Sequence, residues 1–265
     1  MLISRATTFS TSSKTAVYTS DKEDRELLSR VDDAVRLSSL RHSPTFLGFL
    51  NEREQYIIKE YFSNSECNLS FFGGYDGSKR NIAAFSEYEL DPRDYPLKGV
   101  YFKFRKTDKL SHRDFLGALM GLGIERSSVG DIVINEGQAV CFVKSELYDY
   151  IVSQILKIGR VGVRIVKADE CSLIFEDNIE ELSVIVSSMR LDAVAAALTG
   201  LSRAKTAQLI LSGSVAVNYL EAKNVSCILK ENDILSIRKC GKFVIKKQSG
   251  LTKKGRLKII IEHYR

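Results

Sequence analysis

The stretch 190–218 constrains the fold of this chain most, because it combines two helical patterns with a turn and a strand. Before Gly200, apolar residues recur at helical spacing, and glycine is a typical helix end. Ser202 is suited to cap a second helix, since its hydroxyl can accept a hydrogen bond from a free amide of the next turn. This pattern predicts a helix before Gly200, a second helix over 203–211 and a half-buried strand at 215–217.

The last third of the chain is strongly basic. Residues 190–265 contain 15 Lys and Arg against 5 Asp and Glu, a net charge of +10, whereas residues 1–189 contain 24 against 28, a net charge of −4. A single run of charge is usually a solvated face, but this excess extends over a whole compact segment. A basic segment beside a slightly acidic remainder is typical of a polyanion binder, so we expect it to bind nucleic acid.

The motif in this segment resembles the RNA-binding domain first recognised in ribosomal protein S-four. The residues that match are RLD at 190–192, SR at 202–203 and LILSGSVAVN at 209–218, and Asp233 fits the start of a later strand. In that family the two-helix face meets structured RNA. The resemblance therefore implies an S-four-type α+β domain that binds structured RNA.

The basic charge of this segment and its resemblance to the S-four family together predict which residues contact RNA. Arginine suits this role because its planar guanidinium binds phosphate through two hydrogen bonds and stacks on bases. For Arg190, a structural ion pair with Asp192 or Asp233 is the alternative, and we expect Asp192 to be structural. A basic turn at 251–256 is expected to contribute phosphate contacts. The candidates are Arg190, Ser202, Arg203, Lys205, Thr206, Gln208, Asn218, Lys239, Lys242, Lys253, Lys254 and Arg256.

Composition and periodicity divide the rest of the chain. Residues 1–20 contain ten Ser or Thr and no acid, which is the composition of a transit peptide, an ordinary disordered terminus being the alternative. The remaining predicted regions are a helical N-terminal region at 21–78, an αβ sandwich at 79–170, a linker and strand at 171–189, and an S-four-type domain with a basic C-terminal hairpin at 190–265.

The middle region has the pattern strand, helix, hairpin, helix, strand. Ser111 caps the first helix, and the second is predicted over 145–158. This order is a split αβ sandwich, similar in kind to RNA-recognition folds. His112 and Arg113 fall on the first turn of the first helix and are further candidate RNA contacts. The whole chain is therefore predicted to be α+β.

Three runs in the first two thirds resemble the YlmH family of RNA-binding, ribosome-associated proteins. They are FFGGYDGSKRNIAAFS at 71–86, LSHRDFLGALMGLGIERSSVGDIVI at 110–134 and KIGRVGVRI at 157–165. With the C-terminal segment, the resemblance covers most of 45–265. It implies binding to ribosomal RNA of the large subunit and to tRNA, and a role in rescuing stalled ribosomes.

A related branch of that family occurs in oxygenic phototrophs and is linked to photosystem II. Together with the composition of residues 1–20, the resemblance implies this branch and a location in the chloroplast stroma, bacterial cytoplasm being the alternative. The alternative functions are therefore a photosystem II biogenesis factor acting through RNA or protein contacts, and an RNA-modifying enzyme. Residues 1–189 are too short for a tRNA synthetase and contain no GxGxxG loop, so we expect no catalysis and no cofactor.

Several other classes of protein are excluded by simple counts. No apolar run approaches the roughly 20 residues that span a bilayer. The five cysteines form no CxxC pair and are expected to be reduced thiols, and with only three histidines we expect no metal site. No heptad run is present, so we expect a monomer.

Overall fold

The computed structural model describes residues 21–62, 67–175 and 179–264. The chain divides into two compact units, Met1–Phe175 and Glu176–Arg265. Both units combine helices with antiparallel sheets, so the predicted α+β class is confirmed. The predicted transit segment at 1–20 lies outside the described residues.

The first unit contains a three-stranded sheet, a four-stranded sheet, a two-stranded hairpin and the helices that cover the two larger sheets. In chain order its elements are α1 (Lys22–Arg41), β1 (Thr45–Leu50), α2 (Glu52–Tyr61), β2 (Asn68–Phe72), β3 (Asn81–Ser86), β4 (Leu97–Lys103), α3 (His112–Gly121), β5 (Val129–Asn135), β6 (Gln138–Lys144), α4 (Tyr148–Gln154), β7 (Lys157–Ile158), β8 (Val161–Gly162) and β9 (Arg164–Val166).

The N-terminal part of this unit is not helical throughout, which corrects the prediction for 21–78. Helices α1 and α2 are present, but β1, β3 and β2 form a three-stranded sheet in that order. The run TFLGFL at 45–50 is too short for a stable helix, and it pairs with β3 instead. Phe71 and Phe72, which fall in the predicted helical region, belong to β2 and lie opposite Ala83 and Ile82.

The middle part of the unit has the predicted order of strand, helix, hairpin, helix and strand. Its four-stranded antiparallel sheet has the order β5-β6-β4-β9, with α3 and α4 packed on one face. Ser111 caps α3 through a capping box with Asp114, as expected. The second helix is shorter than the predicted 145–158, because the backbone becomes extended at Ile155 and then forms the β7–β8 hairpin.

The other face of the four-stranded sheet packs against the three-stranded sheet. The contact is an apolar cluster in which Phe49 and Ile82 of the smaller sheet meet Val140 and Phe142 of the larger one. Gly74 makes close packing possible, because a Cβ atom at this position would lie 2.2 Å from the ring of Phe142. The first unit is therefore a sandwich of two sheets with helices on both outer sides.

The second unit is a six-stranded antiparallel sheet with two helices. Its elements are β10 (Ile179–Val186), α5 (Leu191–Thr199), α6 (Arg203–Leu211), β11 (Val215–Val217), β12 (Leu220–Glu221), β13 (Ile234–Ile237), β14 (Gly241–Leu251) and β15 (Leu257–Tyr264). The strand order is β10-β15-β14-β13-β11-β12. Leu191, Val194 and Ile210 of the two helices pack on the inward side chains of the sheet.

The segment at 171–189, predicted as a linker and strand, contains strand β10 at 179–186. Residues 179–186 pair along their whole length with β15, from Ile179 opposite Tyr264 to Val186 opposite Leu257. The alternation that predicted a strand at the end of this segment extends further towards the N-terminus than expected. Strand β10 is therefore an edge strand of the second unit, and the boundary between the units falls after Phe175.

Within the three described ranges, no helix combines the length and the apolar character that crossing a membrane requires.

Candidate nucleic-acid interface

The two helices of the second unit begin close to one another. Helix α5 starts after Arg190, and the amides of Leu191 and Asp192 donate to the carbonyls of Cys227 and Val225 at 2.8 and 3.2 Å. The αL residue Gly200 ends the helix, as predicted. Only a short turn then separates the last residue of α5 from the first of α6, and it brings the start of α6 back towards α5.

A buried carboxylate joins the starts of both helices. Asp192 is 6% exposed, and its side chain accepts hydrogen bonds from Arg190 Nε at 3.1 Å and Nη2 at 3.2 Å. The second oxygen also accepts from Arg203 Nη2 at 2.7 Å. Both arginines remain accessible, with 40% and 54% of their side chains exposed. Asp192 is therefore structural, as expected, and it holds two of the predicted RNA-contacting arginines together.

The charges of this cluster change how Asp192 ionises. Hydrogen bonds from Arg190 lower the pKa of the Asp192 carboxyl below its usual value, and burial opposes this effect only in part. The same contact raises the pKa of Arg190. Because the pKa of Asp192 is depressed in the folded state, its stabilising contribution is fully present at neutral pH and is lost as the pH falls through the folded-state pKa.

Replacing Asp192 with Asn should lower the free energy of unfolding by about 1.5–3 kcal/mol at pH 7, because hydrogen bonds to a charged acceptor are lost. The difference from wild type should begin to narrow as the pH falls below the unfolded-state pKa of about 4, and it should vanish once the pH has passed through the lower folded-state pKa, where the wild-type carboxylate is itself protonated. Urea unfolding at pH 7 and at several acidic pH values measures both effects. A difference that stayed constant over this range would contradict the role of the charge.

Helix α6 presents some of its predicted residues to solvent and buries another. Ser202 caps the helix by accepting from the Lys205 amide at 3.4 Å, while the side chains of Lys205 and Gln208 are exposed. Thr206 is fully buried, and its hydroxyl donates to the Ser202 carbonyl at 3.1 Å. The prediction of Thr206 as an RNA contact is wrong, because this side chain faces the core one helical turn after the cap.

Asn218 also has a role inside the protein. Its backbone φ is +50°, its side-chain NH2 donates to Asp233 at 2.9 Å, and its side-chain oxygen accepts from the Ile234 amide at 2.9 Å. Asn is one of the residues that tolerates the left-handed region. Asn218 therefore shapes the turn after β11 and fixes it to β13, and its assignment as an RNA contact stays a prediction.

A second basic region is the hairpin at residues 246–258, which we call the basic hairpin. It contains Lys246, Lys247, Lys253, Lys254, Arg256 and Lys258 and no acid. All residues of β14 from Lys246 onward are exposed. The Thr252 amide donates to the Arg256 carbonyl at 2.8 Å and closes the turn, so the predicted contacts Lys253, Lys254 and Arg256 are presented on a defined loop.

Lys239 and Lys242 lie at the opposite end of β14 from this turn. At about 3.3 Å per residue the 11-residue strand separates the two groups by roughly 30 Å. Lys239 is exposed in the β13–β14 turn, whereas Lys242 Nζ lies 4.7 Å from the centre of the Tyr264 ring. The structure therefore does not bring all the predicted lysines together.

Three cations of the basic hairpin, Lys246, Lys247 and Lys258, were missed as candidate contacts. Lys247 pairs opposite Ile260 and Lys258 opposite Ile185, all on the sheet face away from the helices. Strand alternation in LKIII at 257–261 places Lys258 on the opposite face from Ile259 and was the available signal. For Lys247 no such signal existed, because a register shift between Ile245 and Lys247 breaks the alternation.

These features define a two-unit α+β protein whose C-terminal unit presents arginines held by a buried carboxylate and a hairpin rich in positive charge. Residues 93–171 of the first unit match a family model described as "Putative RNA-binding domain in YlmH". The "Ribosome-associated protein quality control protein P2" of Bacillus subtilis (strain 168) is 33% identical over 246 residues, which is 91% of this chain and 95% of that protein.

The chain therefore belongs to the YlmH family, together with that Bacillus subtilis protein. The solved structure of the "Cell division protein ylmH from Streptococcus pneumoniae" covers 57% of this chain and 94% of its own length, with 18% identity and a TM-score of 0.49. The family model and the Bacillus subtilis relative confirm the resemblance to the YlmH family, whereas the S-four-type domain and the photosystem II branch stay predictions.

Proposed function

We propose that this chain is a non-catalytic RNA-binding protein that docks on structured RNA of the ribosome, namely large-subunit ribosomal RNA and tRNA. The observation that carries the proposal is the concentration of accessible positive charge in the second unit, with a net charge of +10 over residues 190–265. The matching family model is named for RNA binding, and the Bacillus subtilis relative is named for ribosome-associated quality control. Both names agree with a role in translation or ribosome rescue.

The mechanism follows from two surfaces of the second unit. The helix-pair patch consists of Arg190, Arg203, Lys205 and Gln208, and the basic hairpin is the second surface. Each cation that contacts a phosphate releases condensed counterions, which makes binding favourable and dependent on salt. The paired guanidiniums offer planar donors to phosphate or bases, whereas the lysines act as compact charges. We infer that an S-four-type domain, built from α5, α6 and the sheet, carries this activity.

Sedimentation of the full chain with 70S ribosomes, isolated subunits and tRNA over a series of salt concentrations tests the proposal. If about six cations contact phosphates, affinity should fall about a thousandfold between 50 and 200 mM salt. We expect binding to the large subunit, and a DNA duplex should compete poorly because shape and 2′-hydroxyl groups contribute. Failure to bind any ribosomal particle or tRNA at low salt would refute the proposal.

We further propose import into the chloroplast stroma and a role in photosystem II biogenesis. This rests on the ten Ser and Thr and the absence of acids in residues 1–20. Fractionation of an oxygenic phototroph that expresses the tagged chain tests the location. Association with thylakoids that survived nuclease treatment would favour protein contacts over RNA, and a purely cytosolic location would refute import.

A further inference from the structure

RNA-recognition folds bind RNA bases on one face of a four-stranded sheet. In the first unit, the three-stranded sheet covers this face. In such folds, aromatic side chains on this face stack on RNA bases. Here Tyr101 of β4 and Phe142 of β6 point to that face, but both pack in the cluster between the two sheets. Phe142 is 3% exposed and stacks on Tyr75 with ring centres 5.4 Å apart. This face is therefore not available for stacking on RNA bases.

One end of the same sheet gathers three connecting segments. Lys103, the last residue of β4, pairs with Arg164, the first residue of β9. The amide of Phe104 donates to the carbonyl of Gly137 at 2.9 Å, which ties the segment after β4 to the β5–β6 turn. The β7–β8 hairpin immediately precedes β9 and contacts α3. The β4–α3 segment, the β5–β6 turn and the β7–β8 hairpin therefore meet at this end.

These segments carry seven exposed cations, and the acids in or beside them are Asp108, Asp114, Glu136 and Glu170, so positive charge is in excess. Lys106 and Arg164 lie at 4.0 and 3.9 Å from Glu136 and Glu170, the outer limit of an ion pair. The Asp114 carboxylate is bound to Ser111 at the start of α3. Within the described residues, no ion pair or hydrogen bond is made by the side chains of the other five exposed cations. We call all seven the sheet-end patch: Arg105, Lys106, Lys109, Arg113, Lys157, Arg160 and Arg164.

The cross-strand pair at this end is itself unfavourable without an anion. Lys103 and Arg164 lie directly opposite one another, and like charges in this position destabilise a sheet. The Glu170 carboxylate offsets this only at 3.9 Å from Arg164. The patch consists of lysines and arginines alone, so its chemistry fits phosphate groups better than bases stacked on aromatic rings.

We propose that the sheet-end patch binds the phosphate backbone of RNA and is a second RNA contact, additional to the two surfaces of the second unit. This inference rests on the proposed function and extends it to the first unit. It places the RNA contact of residues 93–171 on the connecting segments at one end of the four-stranded sheet, and not on a face of that sheet. In the part of the chain that the structure describes, the exposed side chains of Arg105 and Arg160 make no ion pair or hydrogen bond, so both can be changed without disturbing the fold.

The test is a full-length variant with Arg105→Glu and Arg160→Glu. Its matched control is Arg30→Glu with Arg41→Glu, two exposed positions of α1 that undergo the same change in net charge. Binding to large subunits and to tRNA is measured by sedimentation over a salt series. The patch variant should lose about tenfold in affinity, and its log–log salt slope should fall by about 2. The control should bind as wild type, and both should melt as wild type.

The outcomes separate this inference from the proposed function. If the patch variant and the control weaken equally, the effect comes from net charge and the inference is overturned. If the patch variant binds as wild type while a variant of the second unit does not, the inference is overturned and the proposed function stands. If wild type itself fails to bind, both are overturned. A loss confined to tRNA or to the subunit would support the inference and identify the RNA.

Discussion

Replacing Lys205, Lys253 and Lys254 with Glu should weaken binding to large ribosomal subunits by about a hundredfold at physiological salt. Each phosphate contact contributes close to one unit to the slope of log affinity against log salt, so the loss of three contacts lowers affinity by about two orders of magnitude near 150 mM. All three side chains are exposed, and no ion pair of the described residues involves them. The fold should therefore be unaffected, and the variant should melt as wild type.

The structure gives a reason to leave Arg203 unchanged in this experiment. Arg203 would be an obvious residue to reverse, but Glu at this position would face the buried Asp192, whose carboxylate lies 2.7 Å from the guanidinium. Such a variant would lose stability and affinity together, because it leaves two carboxylates side by side. The control is Lys22→Glu, Arg30→Glu and Arg41→Glu on α1, with an equal charge change. Equal losses in the two triple variants would contradict a local contact.

Replacing Gly74 with Ala should destabilise the first unit by roughly 3 kcal/mol or more. Its φ of +110° is a conformation that costs other residues about 1–3 kcal/mol, and the new Cβ would lie 2.2 Å from the Phe142 ring. That ring is buried between Tyr75 and Phe175, so it has little room to move, and overpacking adds about 1–3 kcal/mol. Urea unfolding followed by circular dichroism measures the loss.

Gly77 provides the matched control for this substitution in the same loop. Its φ is +87°, but a Cβ atom there would have no neighbour within 4 Å. Gly77→Ala should therefore cost only the backbone strain, about 1–3 kcal/mol. If both variants lost the same stability, the close approach of the loop to Phe142 would have no energetic importance. The difference in the free energy of unfolding between the two variants measures the contribution of the close packing of the two sheets.

The fold of the second unit was largely predictable because its signals are local. The helical spacing before Gly200 and the cap at Ser202 mark α5 and α6 without reference to any other part of the chain. The three-stranded sheet of the first unit was not predictable in this way. The run at 45–50 is a short apolar segment, which periodicity alone cannot assign to strand or helix, and its pairing with β3 is a long-range contact.

The candidate site shows the same division between local and distant information. Charge and the resemblance to the S-four family together indicated Arg190 and Arg203, but only the fold shows that both bind one carboxylate. Thr206 is a polar residue, but it lies four residues after Ser202 on the helix. Its hydroxyl can therefore donate a hydrogen bond to the Ser202 carbonyl, which allows the side chain to be buried in the core. Asn218 similarly serves a turn. Side-chain type therefore indicated the kind of ligand, and position on the helix decided which residues remain accessible.

The carboxylate shared by Arg190 and Arg203 has a consequence for the thermodynamics of binding. A free arginine side chain has about 2 kcal/mol of rotational entropy, part of which is lost when its guanidinium is fixed by a ligand. In this protein Asp192 already restricts both guanidiniums when the chain folds. Association with a phosphate then orders little that was previously mobile, so these two arginines are preorganised and their contacts should be long-lived.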